Sequence, residues 1–314
     1  MTGLALAGAG PRKKIGPVAY PLLAVSSLLP DSDIILRAFG AEAYQFGHLG
    51  ITHSIAGLAV QAALLAFAFR SYAVNVSPAI LAGLSLAGLG LHCALDCLGS
   101  WGPMLLAPWS TDRVALDWVA DTDFIFILVP GLAFAMGLAR EGVREAYCRA
   151  AFGILLAYIC VCGTSHAMGR EQARTSLGKI GIRPDRVEAF PVFLNPFRWN
   201  AVVWTPDRYY QVGVGAFGGV YGRVRSYFRV SLPSALKSGY TDQYFAWARA
   251  PVVRFTAGRY TSEAVLGDLR NIGDAVHGGY TVVITSTPSG PARRWLSREE
   301  TLPVADMEFE LPNQ

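Results

Sequence analysis

Histidine and aspartate side chains recur in four short stretches, each of which borders an apolar segment of the chain. These stretches are 28–33 (LLPDSD), 48–54 (HLGITHS), 91–96 (LHCALD) and 117–123 (DWVADTD). Neutral imidazole nitrogens and carboxylate oxygens are side-chain ligands of zinc and similar divalent metals. The residue types are therefore those of a metal site, provided that the fold brings the stretches together.

The most informative stretch is LHCALD, because His92 and Asp96 are spaced i, i+4. That spacing places both side chains on one face of a helix, inside a segment that is otherwise nearly free of polar groups. An ionisable pair near bilayer depth is costly and indicates a function. The alternative is a hydrogen bond between the two side chains that only packs two helices together.

The stretches HLGITHS and LLPDSD also have structural alternatives. Thr52 or Ser54 could cap the helix that follows, and Pro-Asp-Ser-Asp is typical of a turn. Capping does not explain why two histidines, His48 and His53, stand at one helix start. The metal interpretation explains both histidines and is the one we favour.

The composition is that of a membrane protein with a soluble part attached. Of the 314 residues, 52% are hydrophobic and only 16% are charged, against about 25% charged residues in an average soluble domain. The mean hydropathy is +0.33. The net charge of +4 is too small to indicate a nucleic-acid partner, so the expected surroundings are the lipid bilayer and not a polyanion.

Five apolar segments could cross a membrane, where a helix needs about 20 apolar residues. They are 15–29, 51–69, 78–98, 124–139 and 150–165. The last two must borrow flanking residues, and the first contains two prolines and could be a broken span, a re-entrant segment or a signal-peptide remnant; we favour a retained segment. We predict an α-helical integral membrane domain over 1–170, with four to five transmembrane helices, followed by a mainly antiparallel β soluble domain over 171–314.

The basic residues of the short loops predict an orientation. If five segments cross and 12–14 (RKK) is cytoplasmic, Arg70 and the stretch 140–149 are cytoplasmic too, and that side carries seven Lys and Arg residues. The opposite short loops carry two, Arg37 and Arg113. The positive-inside rule favours this arrangement, which places all four His/Asp stretches and the β domain on the non-cytoplasmic side.

Taken in order, these motifs resemble those of a family of bacterial inner-membrane metal-dependent hydrolases described as LexA-binding or LexA-regulated. That family shows an LLPDxD segment, an HRGxTHS motif, an HxxxD helix and an NPFxW segment. It also shows a loop of the form TxxGxxLLxPFSxxRxxLDW that ends on a further aspartate, which corresponds to Asp123 here. The counterparts here are 28–33, 48–54, 92–96, the loop 99–118 (GSWGPMLLAPWSTDRVALDW) and 195–199 (NPFRW). The likeness runs from about residue 20 to residue 200.

The resemblance implies a hydrolase of the bacterial inner (cytoplasmic) membrane that uses a divalent metal. It transfers seven metal-type positions to this chain: Asp31, Asp33, His48, His53, His92, Asp96 and Asp123. Mixed His/Asp ligation favours zinc and leaves manganese, iron and nickel open. Arg113 and Asp117 look like residues that fix the loop. Leu49 stands where the family usually has arginine, so an anion contact from that side chain is missing, which affects substrate identity.

The C-terminal part predicts strands. Period-two alternation with glycine-rich turns is typical of antiparallel strands. It occurs in 201–205, 208–222, 225–230, 251–260 and 279–287. Segment 262–276 (SEAVLGDLRNIGDAV) fits either a helix or a strand, and the family resemblance favours a strand that carries Asp268 and Arg270.

Two functions remain open. In the first, a bound metal lowers the pKa of a coordinated water, and the resulting hydroxide attacks an ester or phosphoester. Whichever of Asp31 and Asp33 does not bind the metal takes the proton. A site at the outer leaflet favours a lipid or lipid-linked substrate. In the second, the metal or a His–Asp network only staples the helices, and the β domain is a binding or regulatory module. A structural zinc is closed with four ligands, whereas six or seven candidates leave room for an open position or a second metal. We favour the enzyme.

Overall fold

The computed structural model describes residues 1–229, 231–257, 262–270, 281–287, 290–295 and 307–309. The chain divides into two compact units, Met1–Cys162 and Gly163–Gln314. The first unit is helical, and the second contains the end of a long helix and two antiparallel sheets. A helical part followed by an antiparallel β part is thus confirmed, while the domain boundary between residues 170 and 171 stays a prediction.

The helices of the first unit differ strongly in length. They are α1 (Thr2–Gly8), α2 (Pro11–Ile15), α3 (Ala19–Ser26), α4 (Ala41–Gly47), α5 (Ile55–Phe69), α6 (Pro78–Asp96), α7 (Ile125–Ala139) and α8 (Arg144–Lys179). Short 3-10 segments connect them at Gly16–Val18, Pro30–Phe39, Ile51–His53 and Glu141–Val143. Helix α8 runs across the boundary into the second unit.

Two helices are long and apolar enough to cross a membrane, α6 with 19 residues and α8 with 36. Residues Ala41–His53 and α5 together pass as a third candidate, bent by 64°. Helix α7 is apolar but has only 15 residues, a length of about 22 Å beside a hydrocarbon core of about 30 Å. Within the described ranges the structure therefore gives two to three candidate spans, where the sequence predicts four to five.

The first apolar segment is broken, and it forms part of a helical hairpin. Gly16 has φ +75°, a conformation that glycine adopts without steric cost, and it ends the helical path of α2. Helix α1 packs against α3 in the opposite direction, so closely that a Cβ on Gly3 would lie 2.3 Å from the carbonyl oxygen of Leu23. Two short helices side by side thus replace the single span.

The turn of this hairpin lies beside the start of α8. Lys13 forms an ion pair with Glu145, and Arg149 Nε donates to the carbonyl oxygen of Ala9 at 2.9 Å. The two basic stretches of the sequence therefore lie at one end of the helical unit, which agrees with their assignment to one membrane side.

Helices α3, α5 and α6 share one apolar core. Its fully buried leucines include Leu22 and Leu23 of α3 and Leu81 and Leu89 of α6. The short connection between α5 and α6 makes them antiparallel, so that the start of α5 lies beside the end of α6. The thiol of Cys93 donates to the carbonyl oxygen of His53 at 3.6 Å and marks this proximity.

The second unit contains two antiparallel sheets. Its elements are β1 (Arg186–Val192), β2 (Asn195–Trp204), β3 (Arg208–Gly215), β4 (Gly219–Phe228), α9 (Gly239–Trp247), β5 (Pro251–Ala257), β6 (Ser262–Asp268), β7 (Val282–Thr287), β8 (Gly290–Trp295) and β9 (Met307–Phe309). The strand orders are β1-β2-β3-β4-β9 and β5-β6-β7-β8. The strands predicted from alternation are confirmed wherever the structure describes them. Ser262–Asp268 is a strand that ends on Asp268, as the resemblance implies, whereas Arg270 lies in the turn after it. Residues 271–276 lie outside the described residues.

Buried polar contacts hold this unit together. Trp199 of β2 is fully buried and donates from its Nε1 to Ser165 Oγ in α8 at 3.0 Å. The carboxylate of Asp268, at the end of β6, accepts hydrogen bonds from the backbone amides of Arg249 and Ala250 and from the guanidinium of Arg270. The Asp268–Arg270 pair thereby fixes the chain entering β5.

Candidate metal centre

Three separate pieces of the first unit bring histidine and aspartate to one place. Asp31 lies in the 3-10 segment that follows α3, His53 ends the 3-10 turn before α5, and His92 and Asp96 lie in the last turns of α6. These pieces meet because α3, α5 and α6 pack on one another and present these ends together.

The nitrogen and oxygen atoms of these residues converge closely. His92 Nε2 lies 3.4 Å from Asp31 Oδ1 and 3.2 Å from Asp96 Oδ2. His53 Nε2 lies 3.7 Å and 3.5 Å from the same two oxygens. The ligand atoms of Asp31, His53 and His92 all lie within 4.8 Å of one another, so this group could hold a metal ion.

These separations fit a divalent metal. Ligand atoms held ~2.0–2.1 Å from a tetrahedral zinc are themselves ~3.3–3.4 Å apart. Three of the converging atoms, His53 Nε2, His92 Nε2 and Asp96 Oδ2, are buried and meet no hydrogen-bond partner in the part of the chain that the structure describes. Buried polar atoms are normally satisfied, and a cation between them would satisfy all three.

The other nitrogen of each imidazole is held by the protein. His92 Nδ1 lies 2.9 Å from the carbonyl oxygen of Ser27, which can only accept. Nδ1 therefore carries a proton, and Nε2 is the nitrogen that could bind a metal. His53 Nδ1 lies 3.4 Å from Asp33 Oδ2 and 3.0 Å from Thr52 Oγ1. Partners of this kind fix the ring orientation of metal-binding histidines.

Asp33 and His48 lie beside this group and not within it. Asp33 is buried; its Oδ1 accepts from His48 Nδ1 at 2.8 Å, and its Oδ2 accepts from the backbone amide of Leu49 at 2.9 Å and from Thr52 Oγ1 at 3.2 Å. The bond to Leu49 holds that residue at φ +60°, a left-handed conformation that costs a non-glycine residue about 1–2 kcal/mol. Asp33 therefore shapes the HLGITHS segment, and its role as a ligand, like that of His48, stays a prediction.

The electrostatics of the two carboxylates favour their charged form. The imidazoles of His53 and then His92, close beside Asp31, hold the pKa of its carboxyl well below the usual range. Burial raises the pKa of the Asp33 carboxyl, but the hydrogen bond from His48 and the proximity of His53 outweigh burial and lower it well below the usual range. Both aspartates are therefore anionic at neutral pH, as metal binding requires.

The loop 99–118 packs against the HLGITHS segment through hydrogen bonds to backbone carbonyl oxygens. The guanidinium of Arg113 donates to the carbonyl oxygens of Gly102, Phe46 and His48 at 3.0, 3.3 and 3.0 Å. The backbone amide of Met104 donates to the carbonyl oxygen of Leu49 at 2.8 Å. Arg113 thus fixes the loop against the site without entering it.

Asp123 has partners elsewhere. Its Oδ1 accepts from the backbone amide of Ile125 at 2.9 Å, and its Oδ2 accepts from the hydroxyl of Tyr158 at 2.5 Å. These bonds tie the start of α7 to α8, and Asp123 is outside the converging group. Its place among the ligands stays a prediction.

The predicted helix cap in HLGITHS is present, and it is compatible with the metal interpretation. Ser54 is the N-cap of α5, and its Oγ accepts from the backbone amide of Gly57 at 3.0 Å. A Cβ on Gly57 would lie 1.9 Å from the carbonyl oxygen of Ile51, so the turn requires glycine there. The cap therefore fixes the direction of the chain at His53, immediately before α5.

Sequence reasoning missed the partners of two candidate residues, His92 and Asp123. The carbonyl oxygen of Ser27 fixes the His92 ring, and Tyr158 binds Asp123. A backbone carbonyl leaves no signal in residue types. Tyr158 lies in an apolar segment, where an isolated tyrosine hydroxyl is a weak indication of a buried partner.

The comparisons with known proteins identify the family but no individual relative. The family described as YdjM inner membrane protein matches residues 1–169, which include the whole converging group. No curated protein and no solved structure matches the chain. Since the match covers more than half of the 314 residues, the chain belongs to the YdjM inner membrane protein family, the LexA-binding family of membrane proteins classed as metal-dependent hydrolases, and it is an inner membrane protein.

Proposed function

We propose that this protein is a membrane-embedded hydrolase that cleaves an ester or phosphoester bond with a divalent metal held by Asp31, His53, His92 and Asp96. The observation that supports the proposal is the approach of two imidazole nitrogens to the same two carboxylate oxygens at 3.2–3.7 Å. A helix-packing role needs one hydrogen bond, whereas this arrangement leaves buried atoms without a hydrogen-bond partner among the described residues.

Each residue has a distinct part in the proposed reaction. A divalent metal supplies a nucleophile near neutral pH by lowering the pKa of a water molecule that it binds. The imidazoles of His53 and His92 provide neutral ligands, and Asp96 provides negative charge. Asp31 would bind the metal through Oδ1, which lies beside both imidazole nitrogens. Its side chain is 53% exposed, so its second oxygen can accept the proton of the attacking water. Asp33 is a weaker candidate for that role because both of its oxygens already accept hydrogen bonds.

We assign to His48 the protonation of the leaving group. Its ring stacks on Tyr44 with centroids 4.6 Å apart, and Asp33 holds its Nδ1. The side chain is 28% exposed, and its centroid is 6.1 Å from that of His53. An imidazole oriented by a carboxylate at the edge of a site is suited to proton transfer.

The membrane arrangement is part of the proposal. The loop charges support a site and a C-terminal unit on the non-cytoplasmic side, and α3 and α7, each with its flanking residues, would add the membrane crossings that complete four to five. A site at the ends of apolar helices is reached most directly from the lipid leaflet. We therefore infer a lipid or lipid-linked substrate, and zinc as the first metal to test.

One observation favours a second candidate function. The group of Asp31, His53 and His92, with Asp96 Oδ2 at 3.2–3.5 Å from the two imidazole nitrogens, offers the four ligands that a closed structural zinc site also uses. In this case the metal staples α6 to the segments before α5 and after α3, and the β unit is a binding or regulatory module. The two candidates differ in whether any bond is cleaved.

The test is metal-dependent turnover by the full-length protein in detergent. The purified protein is analysed for bound metal and assayed on phospholipids and lipid-linked phosphate esters before chelation, after chelation and after addition of zinc or manganese. We expect hydrolysis that disappears with the metal and returns with it. Stoichiometric metal with no turnover on any ester would favour the structural staple.

A further inference from the structure

The second unit contains a cavity that the proposed reaction does not use. It has a volume of about 480 Å³, within the range of about 300–1,000 Å³ typical of small-molecule sites. Its lining comes from β3, the segment between β4 and α9, α9 itself and the start of β5. The residues that decide its chemistry are Tyr209, Arg229, Leu232, Lys237, Asp242 and Phe245.

Two cationic side chains line the cavity. The guanidinium of Arg229 is held by a hydrogen bond from Nη1 to the carbonyl oxygen of Thr205 at 2.7 Å, and it lies 5.4 Å from the ring centroid of Tyr209. A guanidinium has five N–H donors, so these contacts position the group and leave donors over. Lys237 adds an exposed ammonium group from the segment before α9.

The remaining wall is largely apolar. Leu232 is buried, Phe245 is half-buried, and Tyr209 is only 5% exposed. Burial raises the pKa of the Tyr209 hydroxyl, so it stays protonated and can donate a hydrogen bond. The acidic member is Asp242 in the first turn of α9, which leaves the three charged lining side chains with a net positive charge.

We propose that this cavity binds an amphipathic oxyanion, with a phosphate or carboxylate group against Arg229 and Lys237 and an apolar body against Phe245 and Leu232. A fixed guanidinium recognises such groups through charge-assisted hydrogen bonds. The carboxylate of Asp242 repels a ligand that carries a second negative charge near α9. It therefore favours ligands whose anionic group lies on the side of Arg229 and Lys237. The proposal does not depend on the metal centre, since every residue in it belongs to the second unit.

Phenyl phosphate is a suitable probe, because it is soluble and combines an oxyanion with a ring. Its binding to the metal-free full-length protein in nonionic detergent is measured by titration calorimetry. We expect Lys237→Gln to weaken binding about tenfold, the scale of one charge-assisted hydrogen bond, and Asp242→Asn to strengthen it. Lys179→Gln, an exposed lysine at the end of α8, is the matched control and should leave binding unchanged.

The source of the anion is resolved by a second measurement. Binding of the same variants to nanodiscs with and without phosphatidic acid shows whether a lipid headgroup occupies the cavity. A loss on Lys237→Gln in both measurements supports the site and identifies a lipid; a loss with phenyl phosphate alone supports the site and identifies a soluble ligand. Equal binding by Lys237→Gln and Lys179→Gln in both, or no binding of phenyl phosphate by the unmodified protein, overturns the proposal.

Discussion

His53 and His92 aim their Nε2 atoms at the same two carboxylate oxygens from different segments of the chain. Their ring centroids are 5.4 Å apart and the rings are tilted by 42°, so the nitrogens approach one point without stacking. Their Nδ1 atoms bind Thr52 and the backbone of Ser27. The Nε2 atoms thus face the proposed metal position, while the Nδ1 atoms contact the residues that orient the two rings.

Metal content should distinguish His53 from His48. We expect His53→Ala to lose the metal on dialysis, because one of the four proposed ligands is removed. His48→Ala should keep the metal and lower turnover, because His48 lies outside the group and contacts Asp33. Elemental analysis of both proteins beside the unmodified one checks this. Equal metal content in the two variants would contradict the assignment.

Asp96→Asn should separate catalysis from helix packing. Asparagine keeps the size and one acceptor oxygen but loses the charge that attracts a dication, so turnover should disappear in a folded, membrane-inserted protein. If the residue only packs helices, activity should persist and the protein should lose about 1–3 kcal/mol of stability from a disturbed buried hydrogen bond. Melting temperature and turnover are measured on the same preparation, and full activity would refute the catalytic role of Asp96.

Cysteine labelling should test the proposed orientation. In a variant without the native cysteines, Ser71→Cys near Arg70 should react with a membrane-impermeant maleimide only after the inner membrane is opened. Thr111→Cys lies in the loop over the site and Asp207→Cys lies in the β unit, and both are expected on the opposite side of the membrane from Ser71→Cys. All three positions are exposed. Thr111→Cys and Asp207→Cys should react in intact spheroplasts. Labelling of Asp207→Cys only after opening would reverse the orientation.

Two glycines of α8 should respond oppositely to alanine. A Cβ on Gly169 would lie 2.6 Å from Trp199 Cδ1, and the buried indole has no room to move. Gly169→Ala should therefore cost about 1–3 kcal/mol through overpacking. At Gly178 nothing lies within 4 Å of the added atom, so Gly178→Ala should be neutral or stabilising by up to about 1 kcal/mol. Thermal melts of the two variants check the difference.

Tyr244 should make the second unit sensitive to alkaline pH. Burial raises its pKa well above the ordinary value, which is about 10. Above that value the unfolded chain releases the proton while the folded chain keeps it, so the free energy of unfolding falls as pH rises. The stabilisation by the neutral, buried Tyr244 hydroxyl is fully present below pH about 10 and is lost as the pH rises further. Melts between neutral and alkaline pH should show a smaller loss for Tyr244→Phe than for Tyr72→Phe, a control at a 77% exposed position.

The sequence by itself determined the features that depend on neighbouring residues. Helix α6 begins and ends close to its predicted bounds because its apolar run is continuous and Ser77 caps it. The i, i+4 spacing puts His92 and Asp96 together through helix geometry alone. The strands follow from alternation, which buries every second side chain of a sheet. The sequence also predicted that the His/Asp stretches lie at one end of the helices, because successive apolar segments run in opposite directions.

Only the tertiary structure decided which of the seven candidates converge. Asp33 and Asp31 are equivalent in sequence, yet Asp33 is buried against the HLGITHS backbone while Asp31 faces the imidazoles. Asp123 is drawn to Tyr158, and the first apolar segment folds back in a hairpin because Gly3 admits Leu23 at close range. The physical reason is common to these cases: residue types fix what a side chain can bind, but hydrogen bonds and contacts between remote segments fix which partner it reaches.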